Sequence, residues 1–178
     1  DFIERHKDGP FCLYIAHEAP HYPYQGPGDK AVRTVGGKSP AHGRRQDKAA
    51  AYKVMVEEMD TGIGEVVATL DRLGLARDTF VFFFSDNGAT PLGSNGPLHG
   101  RKGQMWEGGH RVPAVAYWPG RIRPGRTCDD PAITLDVFPT LLALAGATPP
   151  KGRVIDGTDL SGVLLEDQTL GPRTLFWA

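Results

Sequence analysis

The feature that most constrains the fold is an apolar run that contains no alternating polar residues. Residues 79–84 read TFVFFF. Because neighbouring side chains of a strand point to opposite faces, this run predicts a strand that is covered on both faces. Such strands are typical of the centre of a parallel sheet. The sequence therefore predicts an α/β architecture with a mostly parallel sheet flanked by helices.

Other segments fit the same architecture. Residues 11–16 and 112–118 are apolar and predict two further strands, with Cys12 buried in the first, and residues 175–177 could begin a last strand. Apolar residues recur at steps of three and four over residues 46–73, which predicts a long helix that Gly74 ends. Residues 134–145 predict a second helix. This alternation of strands and helices is the pattern of α/β proteins.

Composition excludes several classes of protein. The chain has 178 residues, of which 40% are hydrophobic, and this is the size of one domain. Its formal net charge of -1 argues against a general nucleic-acid binder, which is usually basic. No apolar run is long enough to span a membrane. Cys12 and Cys128 are too few for a disulfide scaffold, and we interpret them as separate thiols.

Polar side chains follow the central strand at once. In open α/β sheets, ligands bind beyond the carboxyl ends of the strands, and Asp86 and Asn87 come directly after residues 79–84. Carboxylate and amide oxygens are ligands that suit Ca²⁺ or Mg²⁺. A plain turn is the alternative, since Asp-Asn and Asn-Gly are turn sequences. Two protein ligands cannot complete a calcium shell of about 6–8 oxygens, so a metal site here needs further ligands.

Two loops carry candidate groups for binding an anion. His21 follows the strand at residues 11–16 and could donate a proton or a hydrogen bond, although a solvated loop histidine is the simpler reading. Lys102 lies in the glycine-rich segment 99–111, where glycines allow close approach and cations suit an anion, unless the loop is merely mobile and basic. Residues 30–53 form a basic stretch, which either attracts an anionic substrate or is solvated: Lys30, Arg33, Lys38, Arg44, Arg45, Lys48 and Lys53.

The order of short motifs along the chain resembles the formylglycine-dependent sulfatases of the alkaline-phosphatase-like superfamily. The resemblance is to the later part of their catalytic domain and covers nearly all of the chain. The motifs that carry it are Ala19-Pro20-His21, FFFSDNG from Phe82 to Gly88, Gly100-Arg101-Lys102-Gly103, Glu107-Gly108-Gly109, Arg111-Val112-Pro113, Trp118-Pro119-Gly120, Asp136-Val137-Phe138-Pro139-Thr140 and Asp156-Gly157-Thr158-Asp159-Leu160.

The resemblance implies a role for each candidate residue. Asp86 and Asn87 look like two of the calcium ligands. His21 and Lys102 look like the catalytic cations that hold the sulfate oxygens and help the leaving oxygen depart. The substrate implied is a sulfate ester, either an aryl sulfate or a sulfated glycan. The family also favours a periplasmic, extracellular or lysosomal location.

The chain departs from the family pattern in one large respect. The formylglycine nucleophile is made from Cys or Ser in a C/S-x-P-x-R motif, and neither Cys12 nor Cys128 lies in one. Gln104 also stands where the family more often has a small hydroxyl residue. We therefore expect residues 1–178 to be a single but partial catalytic domain, its C-terminal portion, with the nucleophile upstream of residue 1. Such a chain is expected to be inactive alone, to bind calcium weakly and to self-associate through an incomplete core.

Two other functions remain open at this stage. A phosphodiesterase or phosphonate hydrolase of the same superfamily would use the same metal chemistry on a phosphoryl group. A non-catalytic module could instead bind sulfated glycans through the basic stretch at residues 30–53. The first alternative would differ in the upstream sequence, and the second would not depend on Asp86 or Lys102.

Overall fold

The computed structural model describes residues 1–30 and 47–177. The chain divides into two compact units. The first unit comprises Asp1–Thr79 and Ser85–Pro113, and the second comprises Phe80–Phe84 and Ala114–Ala178. Each unit is described by itself.

The first unit is built around a long helix. Helix α1 covers Phe2–His6, helix α2 covers Lys48–Arg72, and a short helix, α3, covers Glu107–His110. The helix predicted over residues 46–73 is thus confirmed, although residue 46 lies outside the described part. Helix α2 ends before Gly74, whose φ of 71° lies in the left-handed region that favours glycine. Met55 and Leu70 of α2 are buried, as the apolar spacing requires.

The ends of α1 and α2 are joined by an ion pair. Arg72 donates to a carboxylate oxygen of Glu4 at 2.6 Å. This contact holds the pKa of Glu4 below its usual value, with the amino terminus adding to the effect. Ile3, the residue before Glu4, is buried and gives the short helix α1 an apolar contact with the rest of the first unit.

The strand predicted at residues 11–16 is not found. The segment has no regular structure, and Tyr14 is 83% exposed. Cys12 is exposed as well, so its predicted burial is wrong. An apolar run becomes a buried strand only where other strands pair with its edges and helices cover its faces. Among the described residues, this segment takes no part in a sheet.

The second unit contains a pair of strands. Strand β1 covers Val81–Phe84 and strand β2 covers Ala114–Tyr117, within the segments predicted as strands. They pair antiparallel, with Val81 opposite Tyr117 and Phe84 opposite Ala114. The prediction of parallel pairing is therefore wrong for this pair. The apolar run at residues 79–84 correctly predicted a strand. Its predicted cover on both faces is wrong for this chain, since all four residues of β1 are only half-buried.

Helices complete the second unit. A 3-10 turn over Thr134–Asp136 leads into helix α4, Val137–Leu144, which confirms the helix predicted over residues 134–145. Pro139 lies in the first turn of α4, where the missing N–H costs little. Helix α5 covers Ser161–Glu166. No strand forms at residues 175–177. Within the described residues, no helix is both long enough and apolar enough to cross a bilayer.

Candidate functional site

The turn after β1 brings the two predicted metal ligands side by side. The Asn87 amide donates a hydrogen bond to the Asp86 carboxylate. Asp86 is exposed and Asn87 is half-buried. The Ser85 hydroxyl donates to the Asn87 carbonyl oxygen at 3.0 Å, which fixes the backbone of the turn. Two oxygen-bearing side chains are therefore held next to each other.

Glycines allow this turn to pack directly against a second backbone segment. The Gly88 N–H donates to the Gly109 carbonyl oxygen at 2.9 Å. A Cβ added to Gly88 would lie 1.8 Å from the Gly108 carbonyl oxygen, and one added to Gly108 would lie 2.3 Å from that of Gly100. Real side chains never approach so closely, so these positions require glycine. The glycine-rich sequence thus serves close packing of one backbone segment against another.

The Lys102 segment is attached to the same turn. The Lys102 N–H donates to the Ala89 carbonyl oxygen at 3.1 Å, and Ala89 is only two residues beyond Asn87. Gly100 and Gly103, on either side, have φ values of 87° and 82°. Gln104 accepts a hydrogen bond from the Arg101 N–H at 3.0 Å through its side-chain oxygen. Lys102 is half-buried, and its backbone is bound to the segment that follows the predicted metal ligands.

Asn95 adds a second connection that sequence reasoning missed. Its side-chain oxygen accepts from the Ala89 N–H at 2.7 Å, and its side-chain nitrogen donates to the Gly100 carbonyl oxygen at 3.0 Å. In the sequence, Asn95-Gly96 is typical of an ordinary turn, and no periodicity marks it. Only the folded contacts distinguish Asn95 from any other loop asparagine.

His21 is exposed and its hydrogen bonds are local. Its N–H donates to the Glu18 carbonyl oxygen at 2.7 Å, and its ring Nδ1 lies 2.7 Å from the Tyr22 carbonyl oxygen. Because a carbonyl oxygen only accepts, Nδ1 carries the hydrogen in this contact, and Nε2 is the nitrogen available to a ligand. Within the described residues, His21 makes no hydrogen bond to Asp86, Asn87 or Lys102. Its convergence with them stays a prediction.

The segment after His21 is attached to helix α2. The Gln25 N–H donates to the Met55 sulfur at 3.3 Å. The rings of Tyr24 and Tyr52 meet edge to face, with centroids 6.1 Å apart. Both contacts are made to side chains of α2, so this helix holds the segment that follows His21.

The predicted basic stretch is only partly described. Arg33, Lys38, Arg44 and Arg45 lie outside the described residues. Lys53 is exposed on α2 and pairs with Glu57. An exposed pair of this kind contributes little to stability.

The donor chemistry of the turn suits calcium, but the turn does not form a complete shell. Asp86 offers carboxylate oxygens and Asn87 an amide oxygen, which are hard ligands. Within residues 1–30 and 47–177, no group of three or more His, Cys, Asp or Glu side chains is placed to hold a metal ion. Asp86 and Asn87 therefore fit calcium as part of a larger ligand set.

Comparison with known proteins decides the family. The family model described as Sulfatase matches residues 1–147. The chain belongs to the sulfatase family. This confirms the resemblance drawn from the motifs and assigns the chain to a family of sulfuric ester hydrolases.

Individual relatives agree with this assignment. The steryl-sulfatase of Rattus norvegicus is 42% identical over 175 residues, which are 93% of this chain and 28% of the relative. The N-acetylgalactosamine-6-sulfatase of Mus musculus is 40% identical over 185 residues, covering 99% of this chain and 33% of the relative. The chain thus spans about a third, or less, of the length of these curated relatives.

The fold is shared with solved structures. The crystal structure of Ps i-CgsB in complex with k-i-k-neocarrahexaose matches with a TM-score of 0.77 and 31% identity, covering 94% of this chain and 37% of that one. The predicted alkaline-phosphatase-like sulfatase fold is therefore confirmed, although the strand pair of this chain is antiparallel.

Proposed function

We propose that the protein containing this chain hydrolyses sulfate esters, with a sulfated sugar or an aryl sulfate as substrate. The observation that carries the proposal is the attachment of the Lys102 segment to the Asp86-Asn87 turn through Ala89, in a chain of the sulfatase family. This attachment supports a site in which the Lys102 cation and the oxygens of Asp86 and Asn87 act on one anionic ester, since such an ester requires both positive charge and a held metal ion.

Each residue has a distinct task in this proposal. Lys102 donates to the non-bridging sulfate oxygens, because its ammonium carries three N–H donors and a compact charge. His21, when protonated on Nε2, gives that proton to the oxygen of the departing alcohol. Asp86 and Asn87 would hold calcium, which when bound supplies positive charge to the sulfate oxygens. The nucleophile is assigned to no residue of this chain.

The substrate class follows from the named relatives. One relative is named for a steryl sulfate and another for a 6-sulfated N-acetylgalactosamine, and a similar solved structure is in complex with k-i-k-neocarrahexaose. The two named relatives share the sulfate ester and not the alcohol. We therefore assign residues of this chain to the sulfate group and leave recognition of the alcohol to other parts of the protein.

The test uses the full-length protein and two lysine variants. We expect turnover of p-nitrophenyl sulfate or of a 6-sulfated amino sugar, and a loss of roughly 10²–10³-fold in kcat in Lys102→Ala, because a charge that stabilises the transition state is removed. Lys7→Ala is the matched control, since Lys7 is an exposed lysine of the same unit, lies outside the basic stretch and is expected to leave kcat unchanged.

Three outcomes would contradict the proposal. Equal activity in Lys102→Ala and Lys7→Ala would remove Lys102 from the site. Turnover of a phosphate diester or a phosphonate ester in place of the sulfate would favour the other hydrolase. Salt-dependent binding of a sulfated glycan without turnover, unaffected by Asp86→Ala and Lys102→Ala, would identify a binding module.

A further inference from the structure

We propose that Asn95 is a positioning residue that holds Lys102 at a fixed distance from Asp86 and Asn87. The inference rests on the proposed function for its catalytic consequence, and on the hydrogen bonds of the first unit for its structural content. Within the described residues, the Asn95 side chain makes no hydrogen bond to Asp86 or Asn87, and Asn95 is not itself assigned to the substrate.

The two ends of the Asn95 amide reach the two segments of the candidate site. The side-chain oxygen binds the N–H of Ala89, two residues after Asn87, at 2.7 Å. The side-chain nitrogen binds the carbonyl oxygen of Gly100, two residues before Lys102, at 3.0 Å. One rigid planar group therefore spans the gap between the segments, and its length sets their separation.

Ala89 makes this connection double. Its N–H is bound by Asn95, and its carbonyl oxygen accepts the Lys102 N–H at 3.1 Å. The peptide groups on both sides of the Ala89 Cα are thus held, one by the Asn95 side chain and the other by the Lys102 N–H. If the Asn95 contact is lost, Ala89 can rotate, and the Lys102 hydrogen bond loses its acceptor geometry.

Only an amide side chain meets both requirements. Asparagine supplies an acceptor and a donor on the same carbon, whereas aspartate supplies acceptors alone and leucine supplies neither. The Asn95 side chain and both of its contacts are part-buried. Polar backbone groups that lose a partner there are left poorly solvated, so the backbone shifts to find new partners.

Such a shift matters because catalysis depends closely on position. A displacement of about 1 Å at a residue that holds a reacting group can cost on the order of 10²-fold in rate. We therefore expect Asn95→Leu to lower kcat/KM for an aryl sulfate by roughly 10- to 100-fold in the full-length protein. Ser94→Ala is the matched control, since Ser94 is an exposed neighbour whose hydroxyl accepts the Gly96 N–H at 3.1 Å and binds neither Ala89 nor Gly100 in the part of the chain that the structure describes.

A double-mutant cycle separates positioning from general loss of stability. If Asn95 acts through Lys102, Asn95→Leu has little further effect on kcat/KM once Lys102 is alanine. An equal fold-loss in the presence and absence of the lysine side chain would overturn the proposal. An unchanged kcat/KM in Asn95→Leu would do so as well.

Amide hydrogen exchange provides a readout that does not depend on activity. In Asn95→Leu we expect the amides of Ala89 and Lys102 to exchange at least tenfold faster. The Leu73 amide, which binds the Thr69 carbonyl oxygen at the end of α2, should keep its rate. Asn95→Asp retains the acceptor for Ala89 and is the milder variant if the leucine protein does not fold. In Asn95→Asp we expect faster exchange at Lys102 and a smaller change at Ala89.

The two proposals fail in different ways. If the unmodified protein hydrolyses no sulfate ester, the proposed function fails, and the exchange rates still decide whether Asn95 fixes the Lys102 segment. If the unmodified protein is active but Ala89 and Lys102 exchange at their original rates in both Asn95 variants, the positioning role is wrong. A uniform increase that includes Leu73 would also overturn it.

Discussion

Gly88 is the residue at which one added methyl group has the clearest consequence. Its Cβ would lie 1.8 Å from the Gly108 carbonyl oxygen, and that atom is backbone, which cannot swing aside as a flexible side chain does. Gly62, in the interior of α2, is the opposite case, because nothing lies within 4 Å of its added Cβ. Gly88 therefore has no space for a side chain, whereas Gly62 has space for one.

We expect Gly88→Ala and Gly62→Ala to change the free energy of unfolding in opposite directions. Gly88→Ala should destabilise the chain by roughly 1–3 kcal/mol, as overpacking does. Gly62→Ala should stabilise it by about 0.5–1 kcal/mol, because alanine is the better helix residue. Urea denaturation of both variants measures this. A Gly88→Ala variant as stable as the original chain would show that the Gly88 and Gly108 backbones are not in contact.

At the residue scale, the sequence identifies candidates for the chemistry but misses a residue that holds the backbone around them. Asp86 and Asn87 are candidates because they follow an apolar strand. Lys102 is a candidate because it lies among glycines. Asn95 could not, since its two hydrogen bonds join segments five and six residues away and depend on the folded path of the loop.

At the scale of elements, Asp136 joins the start of α4 to more distant parts of the second unit. Its side chain is fully buried and accepts from the Ile133 N–H and the Thr158 N–H, each at 2.8 Å. Arg173 completes the set, donating to the carboxylate at 2.9 Å. The buried charge thus has a partner for each oxygen, which a buried carboxylate requires.

We expect Asp136→Asn to destabilise the chain by roughly 3–5 kcal/mol, because the fully buried carboxylate is lost and the part-buried Arg173 is left without its counter-charge. Asp159→Asn is the matched control. Asp159 is exposed, and among the described residues its side chain binds Ser161 alone, so its replacement should lower the free energy of unfolding by about 1 kcal/mol or less. Urea denaturation at neutral pH compares the two. Equal decreases in the free energy of unfolding for the two variants would show that the Asp136–Arg173 contact contributes no more than a surface hydrogen bond.

The same carboxylate predicts a dependence of stability on pH. Burial raises the pKa of Asp136, but hydrogen bonds from Arg173, Thr158 and Ile133 outweigh it and hold the pKa below the usual 3.8. The stability contributed by this lowered pKa is fully present above 3.8, the value for the unfolded chain, and is lost as the pH falls through the folded pKa. Urea denaturation from neutral to acid pH should therefore show that acid lowers the free energy of unfolding less in Asp136→Asn than in the original chain. An identical pH profile in both proteins would contradict this.

The elements that the sequence predicted well are those whose pattern is local. The steps of three and four in α2 and the apolar run in β1 identify a helix and a strand from neighbouring residues alone. Pairing direction is not local: β1 is apolar throughout, which is typical of parallel strands, yet it pairs antiparallel with β2. The segment at residues 11–16 has the same apolar pattern and forms no strand, because a strand also needs partners that its own sequence does not specify.

At the scale of the whole molecule, exposed apolar side chains at residues 13–15 predict self-association. Leu13, Tyr14 and Ile15 are 38%, 83% and 53% exposed, and such neighbouring apolar groups favour contact with another surface. Light scattering should show dimers or larger species of this chain, and Tyr14→Lys with Ile15→Lys should shift them to monomer. Val154→Lys, at another exposed apolar residue, should not. A monodisperse monomer at high concentration with cooperative thermal unfolding would contradict the prediction.

We also expect these 178 residues alone not to hydrolyse p-nitrophenyl sulfate. The chain contains no C/S-x-P-x-R motif, so the family's nucleophile has no counterpart in it. Turnover by the isolated chain that disappears in Lys102→Ala would contradict this and would require a nucleophile among its own residues.

The contacts of Asn95 also bear on how long the protein keeps its chemical integrity in storage. Both asparagines of the chain, Asn87 and Asn95, precede glycine, the sequence context in which asparagine deamidates most readily. At Asn95 the side chain is bound at both ends, and the Gly96 N–H, whose nitrogen would attack it, is bound to Ser94. Deamidation would replace the donor that faces the Gly100 carbonyl oxygen with a carboxylate oxygen. Deamidation at this one amide would therefore weaken the link between the Lys102 segment and the Asp86-Asn87 turn while leaving the chain length and the helices unchanged.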